Sequence, residues 1–144
     1  MAAFIKKLKD IFGIKELSTY NEISSIYNVL MHLHCIDAGS DENIYSVKES
    51  YYSVLLNKGV FDPQHYDFLA NPILKNDGLV KLTKRELVDA CRTIRNIKSK
   101  ECFKLFLIML QVFLPAGGPD DSDYSQAYHD DLELIINEIG ILPQ

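Results

Sequence analysis

Two segments of this chain carry the same four-residue signature ahead of the same kind of run. Thr19-Tyr20-Asn21-Glu22 and Thr83-Lys84-Arg85-Glu86 are both Thr-x-x-Glu capping boxes. In such a box the hydroxyl and the carboxylate each satisfy a backbone N–H group that a helix start leaves free. Ile23, Ile26, Tyr27, Leu30, Leu33 and His34 follow the first box; Leu87, Val88, Cys91, Ile94 and Arg95 follow the second. Those three- and four-residue spacings line one face of a helix. The first of these helices should end near Cys35, where Asp37-Ala-Gly-Ser-Asp41-Glu42 has turn chemistry, and the second should run toward Ile97.

The remaining segments read the same way. Ala2 to Phe12 places Phe4, Ile5, Leu8, Ile11 and Phe12 on one helical face and Lys6, Lys7 and Lys9 on others, with Gly13 as a stop. This short cationic amphipathic helix is expected to pack on the body of the domain. Reversible contact of residues 2–12 with an anionic membrane surface is the alternative. A helix after the acidic turn should bury Ile44, Val47, Tyr51, Val54 and Leu55 and close at Gly59, and Asp62-Pro63 should open a short helix to about Ala70. Asn71-Pro72 and Asn76-Asp77-Gly78 bracket a connector. Ser99 caps the most apolar run, Cys102 to Leu114, whose near-continuous apolar character predicts enclosure on most sides. That run contains Lys104 and Gln111 and is shorter than the ~20 residues of a membrane-spanning helix. The last helix is expected from about Asp123 to Ile139, burying Tyr124, Ala127, Tyr128, Leu132, Ile135 and Ile139, with Gly140 closing it. The expectation is an all-α fold: a single compact domain of about seven helices, with residues 1–17 as an N-terminal amphipathic helix and 18–144 as the helical domain. A length of 144 residues suits one domain.

Cys35, Cys91 and Cys102 are odd in number, widely spaced and set in apolar stretches, with no secretory leader ahead of them. They read as reduced, buried thiols of a cytoplasmic protein. The formal charge of −5 argues against a nucleic-acid partner, because phosphate binding needs a basic surplus. That net figure conceals a segregation. Residues 72–104 hold nine bases and four acids, whereas residues 105–144 hold seven acids and no base. Arg85, Arg92 and Arg95 belong to the basic block, and its exposed helix face is either solvated or a docking patch. Asp120, Asp121 and Asp123 stand at the expected start of the last helix, where carboxylates accept bonds from free N–H groups. With Asp130 and Asp131 on the next turns, they exceed what capping requires. A divalent cation such as calcium, magnesium or manganese, or a basic protein partner, would relieve the repulsion.

Neither acidic stretch is an EF-hand: counting from Asp121 places Gln126 where the loop needs glycine and Leu132 where it needs a carboxylate. His32 and His34 are two residues apart on a helix and point to opposite sides, so with Cys35 they read as core or rim residues rather than zinc ligands. Nucleophile elbows, phosphate loops and HExxH are absent. His129 beside Asp130 is no general-base pair, since neighbours on a helix do not face each other. The chain reads as a non-enzyme.

Residues 34–63 and 113–143 echo one another. Each has an apolar helix end, a small-residue acidic turn, an amphipathic helix, then glycine, two apolar residues and proline. This suggests two pseudo-repeated helix–acidic-turn–helix units. The arrangement over residues 20–143 resembles the tellurite-resistance TerB-like family, in which a helical repeat is built around an alanine-aspartate-glycine turn followed by an acidic residue. Asp37-Ala38-Gly39 has those residues in altered order, and Ala116-Gly117-Gly118-Pro119-Asp120 lacks the turn aspartate. The resemblance implies an all-α bacterial cytoplasmic stress-response protein that works through protein contacts and binds a divalent cation through acidic side chains. Those side chains would be Asp37, Asp41 and Glu42 in one turn and Asp120, Asp121 and Asp123 in the other. Partner contact would fall to Asp130, Asp131, Arg85, Arg92 and Arg95. The alternative is an acidic immunity or inhibitor protein that caps the basic active site of a cognate toxin.

Overall fold

A computed structural model of the chain describes residues 18–37, 50, 53, 54 and 81–140. Among these residues stand four α-helices: α1 (Tyr20–Ile36), α2 (Lys84–Arg95), α3 (Lys100–Gln111) and α4 (Gln126–Ile139). A 3₁₀ turn, η1 (Gly118–Asp120), lies between α3 and α4, and no strand forms among the described residues. The fold is all-α. The N-terminal helix, the short helix from Pro63 and the 71–78 connector lie outside the described residues, as does most of the helix expected to close at Gly59; its residues 50, 53 and 54 are helical, and Val54, expected to be buried, is 38% exposed.

Both capping boxes close as expected. Thr19 N–H donates to Glu22 Oε1 at 2.8 Å and Glu22 N–H returns to Thr19 Oγ1 at 3.2 Å. Thr83 and Glu86 repeat the pair at 2.9 and 3.2 Å, and the Thr83 bonds hold the Glu86 carboxyl below its usual range. Ser99 Oγ accepts from Cys102 N–H, so α3 begins at Lys100, two residues ahead of the apolar run. Its end tightens: Val112, Phe113 and Leu114 bond three residues back rather than four, and the helix gives way before Pro115. Gly140 closes α4 at φ 81°, a left-handed conformation that side chains with a Cβ resist.

Cross-links between helices fix their directions. His32, late in α1, meets Asp131 in the first half of α4, and Asp37, just past the end of α1, meets the Ser125 cap of α4, so these two helices run antiparallel. Leu82, just ahead of α2, also meets His32, while Arg95 at the end of α2 reaches Glu138 at the end of α4. Thus α2 and α4 run together, both against α1. The core between them holds Ile23, Ile26 and Leu30 of α1, Leu87, Cys91 and Ile94 of α2, Phe106 of α3, and Leu132 and Ile135 of α4.

Two expectations need correction. The last helix begins at Gln126, capped by Ser125, and its first turn contains no acid, so Asp120, Asp121 and Asp123 precede the helix instead of capping it. Tyr124 is accordingly half-buried and Ala127 exposed. The apolar α3 run is also less enclosed than its composition suggests, for Ile108 is 53%, Val112 80% and Leu114 47% exposed. Among the described residues, α3 packs chiefly against α1, and one neighbour covers one side of a helix.

Candidate functional site

The acidic segment of the chain resolves into an inward-facing and an outward-facing part. Asp131 faces in. Its Oδ2 lies 2.8 Å from Nε2 of His32, which is buried at 5% exposure, and His32 Nδ1 accepts the Leu82 N–H at 2.9 Å. An Nδ1 that accepts cannot carry a proton, so the proton sits on Nε2 and is donated to Asp131. One imidazole therefore joins three segments far apart in sequence. Both ring nitrogens are engaged, which leaves neither to act as a base toward a substrate.

The turn between α3 and α4 is built by Asp121. Its Oδ2 accepts from Gly117 N–H and its Oδ1 from Asp123 N–H, both at 3.0 Å, and these bonds hold its carboxyl below the usual carboxylate range. His129 Nε2 lies 2.7 Å from the Asp121 carbonyl oxygen, and the Tyr128 hydroxyl donates to the Phe113 carbonyl, so α4 grips both ends of the turn. Tyr124 packs against the Tyr128 ring with centroids 4.7 Å apart. Asp37 reaches in from the end of α1, accepting from both N–H and Oγ of Ser125. Ser125 Oγ in turn accepts from Tyr128 N–H. The sequence pattern gave no hint of Ser125, because no Glu stands three residues on to complete a box.

Of the expected metal ligands, Asp121 is thus committed to backbone donors and Asp37 to the Ser125 N–H and hydroxyl, Asp120 and Asp123 are exposed, and Asp41 and Glu42 lie outside the described residues. Among the described residues, no group of three or more His, Cys, Asp or Glu is placed to hold a metal ion. The expected partner residues divide as well. Asp130 is exposed and receives the Gln126 amide at 2.8 Å, one residue from inward-facing Asp131. Arg85 is exposed; Arg92 Nε stands 3.5 Å from Glu138 Oε2, and Arg95 donates to the Glu138 carbonyl, bracing the C-terminal end of α4 where a cation suits the helix dipole.

The outward part of α4 borders a cleft of about 430 Å³. Leu114, Pro115 and Pro119 form one apolar wall and Leu132 and Ile136 contribute from α4, while Asp130 and Glu133 supply its carboxylates. Among the described residues no Lys or Arg lines it, and none follows Lys104 in the sequence. Asp130, Glu133 and Asn137 also border a second, shallower groove whose far side carries Lys84. Cys35, Cys91 and Cys102 are buried, free thiols: burial, with Glu138 nearby, pushes Cys91 up to about 12, and burial also raises Cys102, partly offset by the Ser18 hydroxyl beside it. No helix among the described residues is long and apolar enough to cross a membrane. Comparisons with protein-family models, curated proteins and solved structures find no match to this chain.

Proposed function

We propose that this is a small non-enzymatic helical interaction protein of the kind its TerB-like resemblance implies. Its contact surface is the cleft along the outer face of α4, and its partner is a basic, amphipathic protein segment. One observation carries the reading: apolar side chains and two carboxylates, Asp130 and Glu133, line a single cleft in a stretch of sequence with no Lys or Arg. Exposed apolar groups supply contact area, and uncompensated carboxylates supply attraction and choice of partner. A basic active site of a toxin would meet the same surface as an inhibitor's target. The engagement of both His32 nitrogens and of His129 supports a non-catalytic role. The binding of Asp37 and Asp121 to backbone donors favours a protein partner over a divalent cation at the turns.

Fluorescence anisotropy with a labelled Lys/Leu amphipathic peptide tests this in the full chain. Binding should weaken steeply between low and moderate salt and be lost in Asp130→Lys/Glu133→Lys, with the helical circular dichroism unchanged. Absence of binding at millimolar peptide and low salt, or equal binding by the charge-reversed chain, overturns the reading. Calorimetric titration with calcium or manganese checks the cation alternative in the same chain.

A further inference from the structure

A second cavity, of about 330 Å³, shares no lining residue with the cleft along α4. Leu33, Phe113 and the largely exposed Val112 give it apolar walls, and Tyr124 and Tyr128 give it aromatic ones. Asp37 supplies its carboxylate, beside the half-buried His34. Neither stretch that lines it, residues 20–37 or residues 105–144, contains a Lys or Arg. Asp37 is exposed and stands at the C-terminal end of α1, where the negative pole of the helix adds to its charge. A carboxylate oxygen has two acceptor positions, and the Ser125 N–H and hydroxyl occupy one on each Asp37 oxygen. Among the described residues no cation pairs with Asp37; the ion pairs there are His32–Asp131 and Arg92–Glu138.

A lone negative charge among aromatic and apolar walls selects a particular kind of cation. A hard divalent ion takes about six oxygen ligands, far more than one carboxylate supplies. An ammonium is compact and strongly hydrated, whereas a guanidinium is planar, weakly hydrated, stacks on aromatic rings and offers paired N–H groups to a carboxylate. The volume lies at the low end for ligand pockets (~300–1,000 Å³), which suits one side chain. We infer that this cavity receives the guanidinium of an arginine presented by a protein partner, with the Tyr124 ring and the open positions of the Asp37 carboxylate as its contacts. Both are set before the arginine arrives, which lowers the entropic cost of binding. Ser125 holds the carboxylate, and Tyr128, tied by its hydroxyl to the Phe113 carbonyl, backs the Tyr124 ring at 4.7 Å between centroids. Val112 borders this cavity and Leu114 the α4 cleft, so a basic segment crossing the end of α3 would meet both.

NMR titration of the full chain, ring-labelled at tyrosine, with Nα-acetyl-arginine amide tests the site. The Tyr124 and Tyr128 ring signals should shift and saturate at millimolar arginine amide. The lysine amide should bind several-fold more weakly, and the citrulline amide, similar in shape but uncharged, should leave both signals in place. Asp37→Asn keeps an oxygen for the Ser125 N–H and should bind the arginine amide several-fold more weakly, with the helical circular dichroism unchanged. Tyr124→Leu keeps apolar bulk without the ring and should weaken binding likewise, read at Tyr128. The absence of saturable shifts at tens of millimolar overturns the inference. So does an equal response to citrulline, equal affinity for lysine, or undiminished binding in Asp37→Asn. If Asp37→Asn fails to fold, the contrast between arginine and citrulline on the native chain decides. Asp130→Lys/Glu133→Lys should bind the arginine amide as the native chain does, whereas loss of binding there places the arginine in the α4 cleft and overturns the inference. The Lys/Leu peptide contains no arginine and reports on the cleft, so either site can fail while the other stands.

Discussion

At the scale of single residues, His32 and Tyr27 are opposite cases of a buried polar group. His32 has a partner at each ring nitrogen. Replacing it by Phe keeps the apolar bulk but leaves the Leu82 N–H and a half-buried Asp131 carboxylate without their partner, which should cost about 2 kcal/mol. A urea titration should show a lower midpoint at unchanged slope. Tyr27 is 2% exposed and its hydroxyl has no hydrogen-bond partner among the described residues; burial raises its pKa, and the Cys35 thiol adds to the rise. Tyr27→Phe removes that uncompensated hydroxyl, so the variant should be as stable as the native chain or up to about 1 kcal/mol more stable. A loss of stability would reveal a partner for the hydroxyl.

At the scale of elements, the caps decide the boundaries. Ser125 is held by Asp37 and itself holds Tyr128 N–H, so Ser125→Ala should cost about 1 kcal/mol, typical of a lost cap. Asp37→Ala and Ser125→Ala should be non-additive in a double-mutant cycle, since they break one linked set of bonds. The starts of α1, α2 and α3 were legible in the sequence because a cap is local chemistry: Thr19, Thr83 and Ser99 sit within three residues of the N–H groups they satisfy. The start of α4 was obscured by three aspartates, any of which has the right side chain for the task; the turn formed by Asp121 spends its carboxylate elsewhere. The site was legible as a charge excess but not as a surface. Asp130 and Asp131 are adjacent in sequence and lie about 100° apart around α4, and only the rotation of α4 against α1 determines which one meets His32. The exposure of Val112 is set by tertiary packing in the same way.

At the scale of the whole molecule, alkaline pH should probe the core. Cys91 has its pKa raised to about 12 from 9.0, so from about pH 9 upward the unfolded chain loses this proton while the folded chain keeps it. The contribution of this thiol to stability is therefore complete below about 9 and declines as pH climbs toward 12, visible as a falling melting temperature. Its unreactivity toward a thiol-disulfide reagent in native buffer, with full reaction in denaturant, checks the same burial. Salt should affect the fold much less than binding, because the Arg92–Glu138 pair is solvent-exposed and such pairs are worth little. The His32 junction also has a kinetic consequence. It unites residues 50 and 99 positions apart, contacts whose loop-closure entropy must be met before they stabilise anything. Such a knot is expected to tighten after the rate-limiting barrier, so His32→Phe should accelerate unfolding while leaving the refolding rate nearly unchanged in stopped-flow experiments. During synthesis, His32 must wait for the 99 positions that separate it from Asp131 to emerge before that carboxylate is available to it.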